Sequence, residues 1–230
     1  MGTKIKESEF IYEEISKLYP EAKCELNYRK DYELLIAIML SAQTTDISVN
    51  KVTETLFKKY QSISDFADAK LEELQNDIRR IGLFRNKSKN MKLMANLVIR
   101  NHKSIIPHTQ EELEKLPGVG RKTANVFLAE FCHIPRIAVD THVSRVSIRL
   151  GFADEKDNPV KIEEKLKKIF DESLWISLHH KLIFFGRYFC KAKKPNCKEC
   201  PIIKYCKKPI IKWLVLFLYI WPISDVRLSV

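Results

Sequence analysis

The segment LPGVGRKTA, residues 116–124, is the first place where residue types and spacing indicate chemistry. Two glycines separated by one residue allow a sharp turn and a close approach of the backbone to a ligand. A helix is predicted directly after them, and its N-terminus offers free N–H groups and a positive dipole end to an anion. This pattern predicts a helix–hairpin–helix that holds a DNA phosphate through backbone amides, with an ordinary tight helix connection as the alternative. The contact would use Leu116, Gly118, Val119, Gly120 and Arg121.

Lys122 follows in the first turn of the second hairpin helix, beside Arg121. The positive helix end and the neighbouring guanidinium both disfavour an ammonium group there and favour the neutral amine. Because a lysine attacks as the neutral amine, we interpret Lys122 as a candidate nucleophile; a phosphate-contacting or solvated lysine is the alternative. Asp140, in IAVDTHVSR, is the second catalytic candidate; taken alone it is more typical of a helix N-cap, and the case for chemistry needs Lys122 and Asp140 together.

Four cysteines, Cys190, Cys197, Cys200 and Cys206, have the spacing C-x6-C-x2-C-x5-C. Four thiolates this close in sequence can surround one metal centre, and structural zinc usually shows two close pairs separated by a longer loop. The nearly even spacing here favours the larger perimeter of a [4Fe–4S] cluster, with zinc as the alternative. The two remaining cysteines, Cys24 and Cys132, are interpreted as small buried apolar residues.

The chain has 230 residues and a formal net charge of +11, which indicates a polyanionic partner, either nucleic acid or an anionic membrane surface. Residues 187–212 hold nine Lys or Arg and one acidic residue, Glu199, so they carry +8 of that charge. A cluster with four thiolate ligands has a net charge of about −2, so the segment would stay positive after binding it. The lysines of its first loop, Lys191, Lys193 and Lys194, therefore suit a DNA backbone.

The elements that must position these residues are helical, because apolar residues recur at helical spacing almost throughout and no strand is evident. Asp140 can cap a helix that Gly151 ends, and Thr109 has capping-box spacing with Glu112. The sequence therefore predicts an all-α fold. The predicted helices cover residues 10–18, 31–42, 46–60, 63–68, 70–80, 86–102, 110–115, 121–131, 141–150, 159–170 and 174–187.

The two ends of the chain bear on its location. The first 20 residues are charged and have no apolar core or cleavage site of a secretory signal, so we expect a cytoplasmic protein, nucleoid-associated if prokaryotic. Residues 209–223 are nearly all apolar, but Lys212 interrupts them and Pro222 closes them short of the roughly 20 residues of a membrane span. We expect no membrane association; the alternatives for this tail are a packed segment, an interfacial anchor or an artefact of the reading frame.

Over residues 30–207 the chain resembles the endonuclease III family of DNA glycosylases. The resemblance is carried by the four-cysteine pattern and by LLIAIMLSAQTTDISVNK (34–51), IGLFRNKSKN (81–90), LPGVGRKTAN (116–125), AVDTHVSR (138–145) and GRYFC (186–190). It implies two helical domains that flank a DNA-binding cleft. Residues 23–133 would form a six-helix barrel with the hairpin, residues 1–22 and 134–208 the iron–sulfur domain, and residues 209–230 a tail of unknown role.

The resemblance also implies an activity: removal of oxidised pyrimidines from double-stranded DNA by a monomer, followed by strand cleavage at the abasic site. The matching lysine, Lys122, would attack C1′ and form an imine that undergoes β-elimination, while Asp140 assists base departure and proton transfer. Gln43 matches the residue that fills the space left by the flipped base, and Leu83 matches an apolar wedge. Without the resemblance, ordinary packing explains both residues. The cluster would be structural.

Other functions remain as alternatives. A sibling glycosylase that removes mispaired adenine or thymine would share the fold and the cluster, although the adenine-specific relatives lack the hairpin lysine and carry an extra C-terminal domain. A non-catalytic helix–hairpin–helix module would bind DNA only, and the pairing of Lys122 with Asp140 argues against it. A membrane-associated basic protein is supported by the apolar tail alone.

Overall fold

The computed structural model describes residues 2–210, and within this range the chain forms helices and turns with no β-strand. This confirms the all-α prediction. The helices are α1 (Gly2–Leu18), α2 (Asp31–Ser41), α3 (Asp46–Lys59), α4 (Ile63–Asp68), α5 (Leu71–Asp77), α6 (Phe84–His102), α7 (Gln110–Glu114), α8 (Arg121–Glu130), α9 (Thr141–Leu150), α10 (Pro159–Ile169) and α11 (Trp175–Phe184). Short 3₁₀ turns cover Glu172–Leu174, Cys197–Glu199 and Ile203–Tyr205.

Local capping chemistry sets several helix boundaries near the cleft. The Asp140 carboxylate accepts the Val143 N–H at 2.8 Å and begins α9, and Gly151, with φ +76°, ends it in the left-handed conformation. Thr109 accepts the Glu112 N–H at the start of α7, so the predicted cap is present, although the Glu112 carboxylate accepts from the Thr109 hydroxyl and not from its backbone N–H. These boundaries were readable from sequence because a cap needs only residues three or four positions apart.

The end of α11 differs from the prediction. The α-helix stops at Phe184, and Phe185–Phe189 form a π-helical turn in which the Cys190 N–H donates to the Phe185 carbonyl. An added Cβ on Gly186 would lie 3.0 Å from the Cβ of His142, so this turn packs tightly on α9. The wider turn re-aims the chain toward the cysteine segment, and π turns of this kind are frequent at functional sites.

Two clusters of buried side chains form the interior of the described residues. The first draws only on residues between Leu26 and Leu128. The second combines Ile11 and Ile15 of α1 with residues between Ile137 and Ile202, so the N-terminal helix packs with the C-terminal half of the chain. The segment 131–140 connects the two clusters, and the cleft lies where they meet. The exact domain boundaries at residues 23, 133 and 208 stay predictions.

Helix α2 lies in the middle of the first cluster, with Tyr32 through Leu40 all buried. It packs against α3, α6 and α8, which explains why its sequence is apolar on most sides. Of the predicted tail, residues 211–230 lie outside the described residues. Across residues 2–210, no helix has both the length and the apolar character that a membrane crossing requires.

The two hairpin glycines should differ in how much their substitution lowers the free energy of unfolding. Gly118 has φ +80°, and an added Cβ would lie 2.9 Å from the Cβ of Asn90 and 2.8 Å from the Met39 side chain. We expect Gly118→Ala to lower the free energy of unfolding by about 2–4 kcal/mol, because it adds backbone strain and a clash. Gly120→Ala is the matched control, since Gly120 has ordinary φ and open space around it; we expect a loss of about 0.5–1 kcal/mol. Urea denaturation measures the free energy of unfolding of both variants. Equal losses would contradict the strained and tightly packed position of Gly118.

Candidate active site and cysteine site

The hairpin places a helix N-terminus without a side-chain cap at the surface. Leu116 and Val119 are buried and anchor the turn, while Gly118 and Gly120 are exposed. Gly120 is the N-cap of α8, and no side chain caps this helix. Because Gly120 has nothing within 4 Å of the position of an added Cβ, a ligand backbone can approach its amide closely. The first N–H groups of α8 are thus available to an anion.

The Arg121 side chain points away from this surface. Its Nε and Nη2 donate to the two carboxylate oxygens of Glu163 in α10 at 3.0 and 3.2 Å. Glu163 is buried and also accepts from Lys167 at 2.5 Å and from Asn125 at 3.1 Å. Burial by itself would raise the pKa of Glu163, but the bonds from Arg121 and Lys167 outweigh burial and lower it. The ion pair thus commits Nε and Nη2 of Arg121 to Glu163, and its backbone N–H lies in the first turn of α8.

Lys122 and Asp140 line the same cavities at the cleft. Lys122 is exposed, and within residues 2–210 its ammonium group has no ion-pair partner. Asp140 is half-buried, and its hydrogen bond to the Val143 N–H uses Oδ1 only. The carboxylate therefore serves as an N-cap and still presents an oxygen to the cavity. An open cavity of the cleft and a smaller adjoining one both include the two residues.

The smaller cavity ends at polar groups that sequence reasoning missed. His179 is buried beneath Lys122, and burial, His180 and Lys122 together lower the pKa of His179 to about 3. His179 is thus a neutral imidazole at physiological pH. His180, which is also buried, pairs with the half-buried Glu130. Helical periodicity placed these histidines in the last predicted helix but did not indicate that they line a cavity. The partner of His180, Glu130, lies fifty residues away in sequence, so no local pattern connects them.

Arg187 closes one wall of the cavity and joins the two halves of the chain. It lies in the π turn and forms ion pairs with Glu25 and with Asp46, the latter at 3.0 Å. The Tyr188 hydroxyl also donates to Glu25 at 3.3 Å. Asp46, Arg187 and Tyr188 lie in motifs of the sequence and Glu25 does not; the sequence did not predict any of the four as a cleft residue, since no local spacing connects them.

Gln43 and Leu83 lie on adjacent loops at the edge of the cleft. Both have left-handed backbones, with φ of 56° and 60°, and Leu83 is 56% exposed. An added Cβ on Gly82 would lie 3.4 Å from the Gln43 carbonyl oxygen, so the two loops touch. Ordinary core packing, the alternative reading of both side chains, does not describe Leu83, since more than half of it is in solvent.

The four clustered cysteines surround one small cavity. All four are free thiols and half-buried. Burial, together with the other three thiols, raises the pKa of Cys200 to about 11, and burial likewise raises that of Cys206. Across residues 2–210, no three or more His, Cys, Asp or Glu side chains form a group that could hold a metal ion. A [4Fe–4S] cluster has a larger perimeter than a single ion, so four thiols that line one cavity fit it as thiolate ligands.

Two arginines of α9 hold the start of the cysteine segment. Arg149 donates to the Cys190 sulfur at 3.3 Å and to the Lys191 carbonyl at 2.8 Å. Arg145 donates to the Gly186 carbonyl at 2.7 Å and to the Cys190 carbonyl at 3.3 Å. The loop they support carries three exposed lysines without acidic partners in the described residues, namely Lys191, Lys193 and Lys194. The other two cysteines, Cys24 and Cys132, pack half-buried against the first core.

Comparison with known proteins accounts for this arrangement. Residues 36–172 match the model of the HhH-GPD superfamily of base excision DNA repair proteins. Endonuclease III of Bacillus subtilis is 47% identical over 204 residues, covering 89% of this chain and 93% of the relative. A trapped endonuclease III–DNA covalent intermediate superimposes with a TM-score of 0.86 at 47% identity, covering 88% of this chain and 95% of the other. A thermostable thymine-DNA glycosylase, at 22% identity and a TM-score of 0.79, shares the fold.

Fold and site together define a helix–hairpin–helix DNA glycosylase of base excision repair, with an associated lyase activity at abasic sites. The chain belongs to the endonuclease III family. The resemblance seen in the sequence is thereby confirmed for family, fold and class of activity.

Proposed function

We propose that this glycosylase removes oxidised pyrimidines from double-stranded DNA, with Lys122 as nucleophile and Asp140 as proton-transfer partner. One observation carries the proposal: an exposed amine without an ion-pair partner and a half-buried carboxylate line one cavity beside the hairpin. The lesion must leave the base stack before its C1′ atom can reach this cavity.

The reaction uses these two side chains in order. The Lys122 amine forms a bond to C1′ as the bond from C1′ to the base breaks, and the base leaves with that electron pair and gains a proton. The sugar ring opens to an imine on Lys122. Loss of a C2′ proton then expels the 3′ phosphate, and water releases the enzyme from the cleaved strand. Asp140, with one oxygen facing the cavity, assists base departure and carries protons between these steps.

Binding is divided between backbone and side chains. The free N–H groups of the hairpin, at Gly118, Gly120 and Arg121, would hold a phosphate without reading sequence, and the lysines of the cysteine loop would add charge. Gln43 would fill the space left by the base, and Leu83 would wedge the other side. Polar side chains line part of the smaller cavity. They suit the added oxygen atoms of an oxidised pyrimidine better than the apolar face of an unmodified base. We propose a cytoplasmic monomer.

A [4Fe–4S] cluster is proposed for the cysteine site, held by Cys190, Cys197, Cys200 and Cys206. In this position it would have a structural role, keeping the basic loop in place beside the DNA. The support is the convergence of four free thiols on one cavity and the Arg149 guanidinium beside the Cys190 sulfur.

Borohydride trapping tests the nucleophile. Wild-type protein should form a covalent adduct with DNA that contains an abasic site or thymine glycol, and Lys122→Gln should form none. DNA affinity should stay within about threefold, because the hairpin amides remain. Lys115→Gln is the matched control, since Lys115 is an exposed hairpin lysine that pairs with Glu111 at 2.9 Å; it should trap normally. A wild-type protein that yields no adduct across a panel of lesions would exclude the mechanism.

The variant Asp140→Asn distinguishes the helix-capping role of the Asp140 side chain from its proposed role in proton transfer. Asn caps helices as well as Asp, so α9 should keep its stability, while single-turnover base removal should slow by about a hundredfold or more. Asp171→Asn changes another N-cap, at an exposed position away from the cleft, and should leave the rate unchanged. Thermal melting of both variants provides the check on folding. Full activity of Asp140→Asn would limit Asp140 to its capping role.

Metal analysis tests the cysteine site. Purified protein should be yellow-brown with about four irons per chain. Cys197→Ser should lose most of this iron and its visible absorbance, whereas Cys132→Ser, at a cysteine outside the cavity, should keep both. Stoichiometric zinc in place of iron would show that the site is a zinc site.

A further inference from the structure

Lys87 is a buried cation at an unusual place. Its side chain is almost fully enclosed, with 7% of the residue exposed, and no carboxylate pairs with it in the described part of the chain. Its ammonium group instead donates to the carbonyls of Leu40 and Ala42 at 2.8 and 2.5 Å. These carbonyls lie at the C-terminal end of α2, where unpaired acceptors and the negative end of the helix dipole stabilise a cation.

This position connects the two loops at the edge of the cleft. The Ala42 carbonyl belongs to the peptide directly before Gln43, so the bond from Lys87 fixes the orientation of that peptide. The backbone N–H of Lys87 donates to the Leu83 carbonyl at 3.0 Å, which is the first hydrogen bond of α6. One residue thus holds the start of one loop through its side chain and the end of the other through its backbone.

Both loops need such support because their conformations are strained. Gln43 and Leu83 are non-glycine residues in the left-handed region, a conformation that L side chains rarely adopt and that persists only where surrounding contacts impose it. The side chain of Leu83 is mostly in solvent, and Gln43 is exposed. Their own side chains therefore contribute few of the contacts that hold these conformations. Burial lowers the pKa of the Lys87 ammonium, so this group is retained against a desolvation cost.

We propose that Lys87 is a positioning residue for duplex opening, which holds Gln43 and Leu83 at the fixed separation that a single flipped nucleotide requires. The inference rests on the roles proposed above for these two residues. It predicts that Lys87 matters for removing the base from the stack and not for the chemistry at Lys122. A lesion that is already unpaired should therefore be processed without it.

The chain contains a matched control on the same helix. Lys92 also donates to two carbonyls at the C-terminal end of a helix, those of Ala67 and Ala69 in the last turn and C-cap of α4, each at 2.6 Å. Neither carbonyl belongs to the residues that line the cleft. Lys87→Met and Lys92→Met thus remove the same kind of interaction, one at the loops and one away from them.

The experiment compares single-turnover rates on two duplexes with the same lesion, one fully paired and one with the lesion in a short unpaired bubble. Lys87→Met should lose about tenfold or more on the paired duplex and stay within about threefold of wild type on the bubble. Lys92→Met should stay within about threefold on both. An equal loss on both substrates, or no loss on either, for Lys87→Met would overturn the inference.

Further variants separate this inference from the proposed function. Gln43→Ala and Leu83→Ala should show the same defect, confined to the paired duplex; if neither does, the proposed roles of the loops fail irrespective of Lys87. If they do and Lys87→Met does not, only the role of Lys87 fails. The double variant Lys87→Met/Gln43→Ala should lose less rate on the paired duplex than the product of the two single-variant losses. The reason is that both residues act on the same step. If Lys87→Met does not fold, Lys87→Gln, which removes the charge and shortens the side chain but keeps an amide NH2 group, is judged by the same ratio of rates.

Discussion

The buried carboxylate of Glu163 fixes helix α8, which carries Lys122, relative to the rest of the molecule. A carboxylate with almost no solvent contact is stable only with donors around it, and here Arg121 supplies two, Lys167 one and Asn125 one. Arg121 and Asn125 lie in α8, whereas Glu163 and Lys167 lie in α10. The cluster therefore ties the hairpin helix to the second core. With Arg121 held on that side, the next residue, Lys122, lies at the cleft.

Charge is distributed in the molecule according to function. The hairpin offers backbone dipoles beside the Lys122 amine, while its arginine is paired with Glu163. A local concentration of positive charge lies in the cysteine segment, whose three loop lysines have no acidic partners in the described residues. A phosphate held by amides and a backbone attracted by lysines are both independent of base sequence. This division suits an enzyme that must search DNA without sequence preference and stop at a damaged base.

The cleft is built where the two halves of the chain meet, so its residues come from distant segments. Arg187 bonds to Glu25 and Asp46, and His180 bonds to Glu130, each across the boundary between the two cores. These contacts close the cavity and also set the distance between its walls. Binding geometry and the stability of the interface are therefore coupled, and substitutions at these positions would change both.

The sequence by itself determined the helices, the hairpin and the candidate catalytic and cysteine residues. Helical periodicity, a cap such as Asp140 and a turn such as Gly118–Gly120 depend on residues a few positions apart, so local pattern suffices. The tertiary structure alone decided that Arg121 turns to Glu163, that His179 is a neutral group under Lys122, and that the last helix widens into a π turn. Each of these depends on a partner from another helix, brought close by packing that no local spacing records.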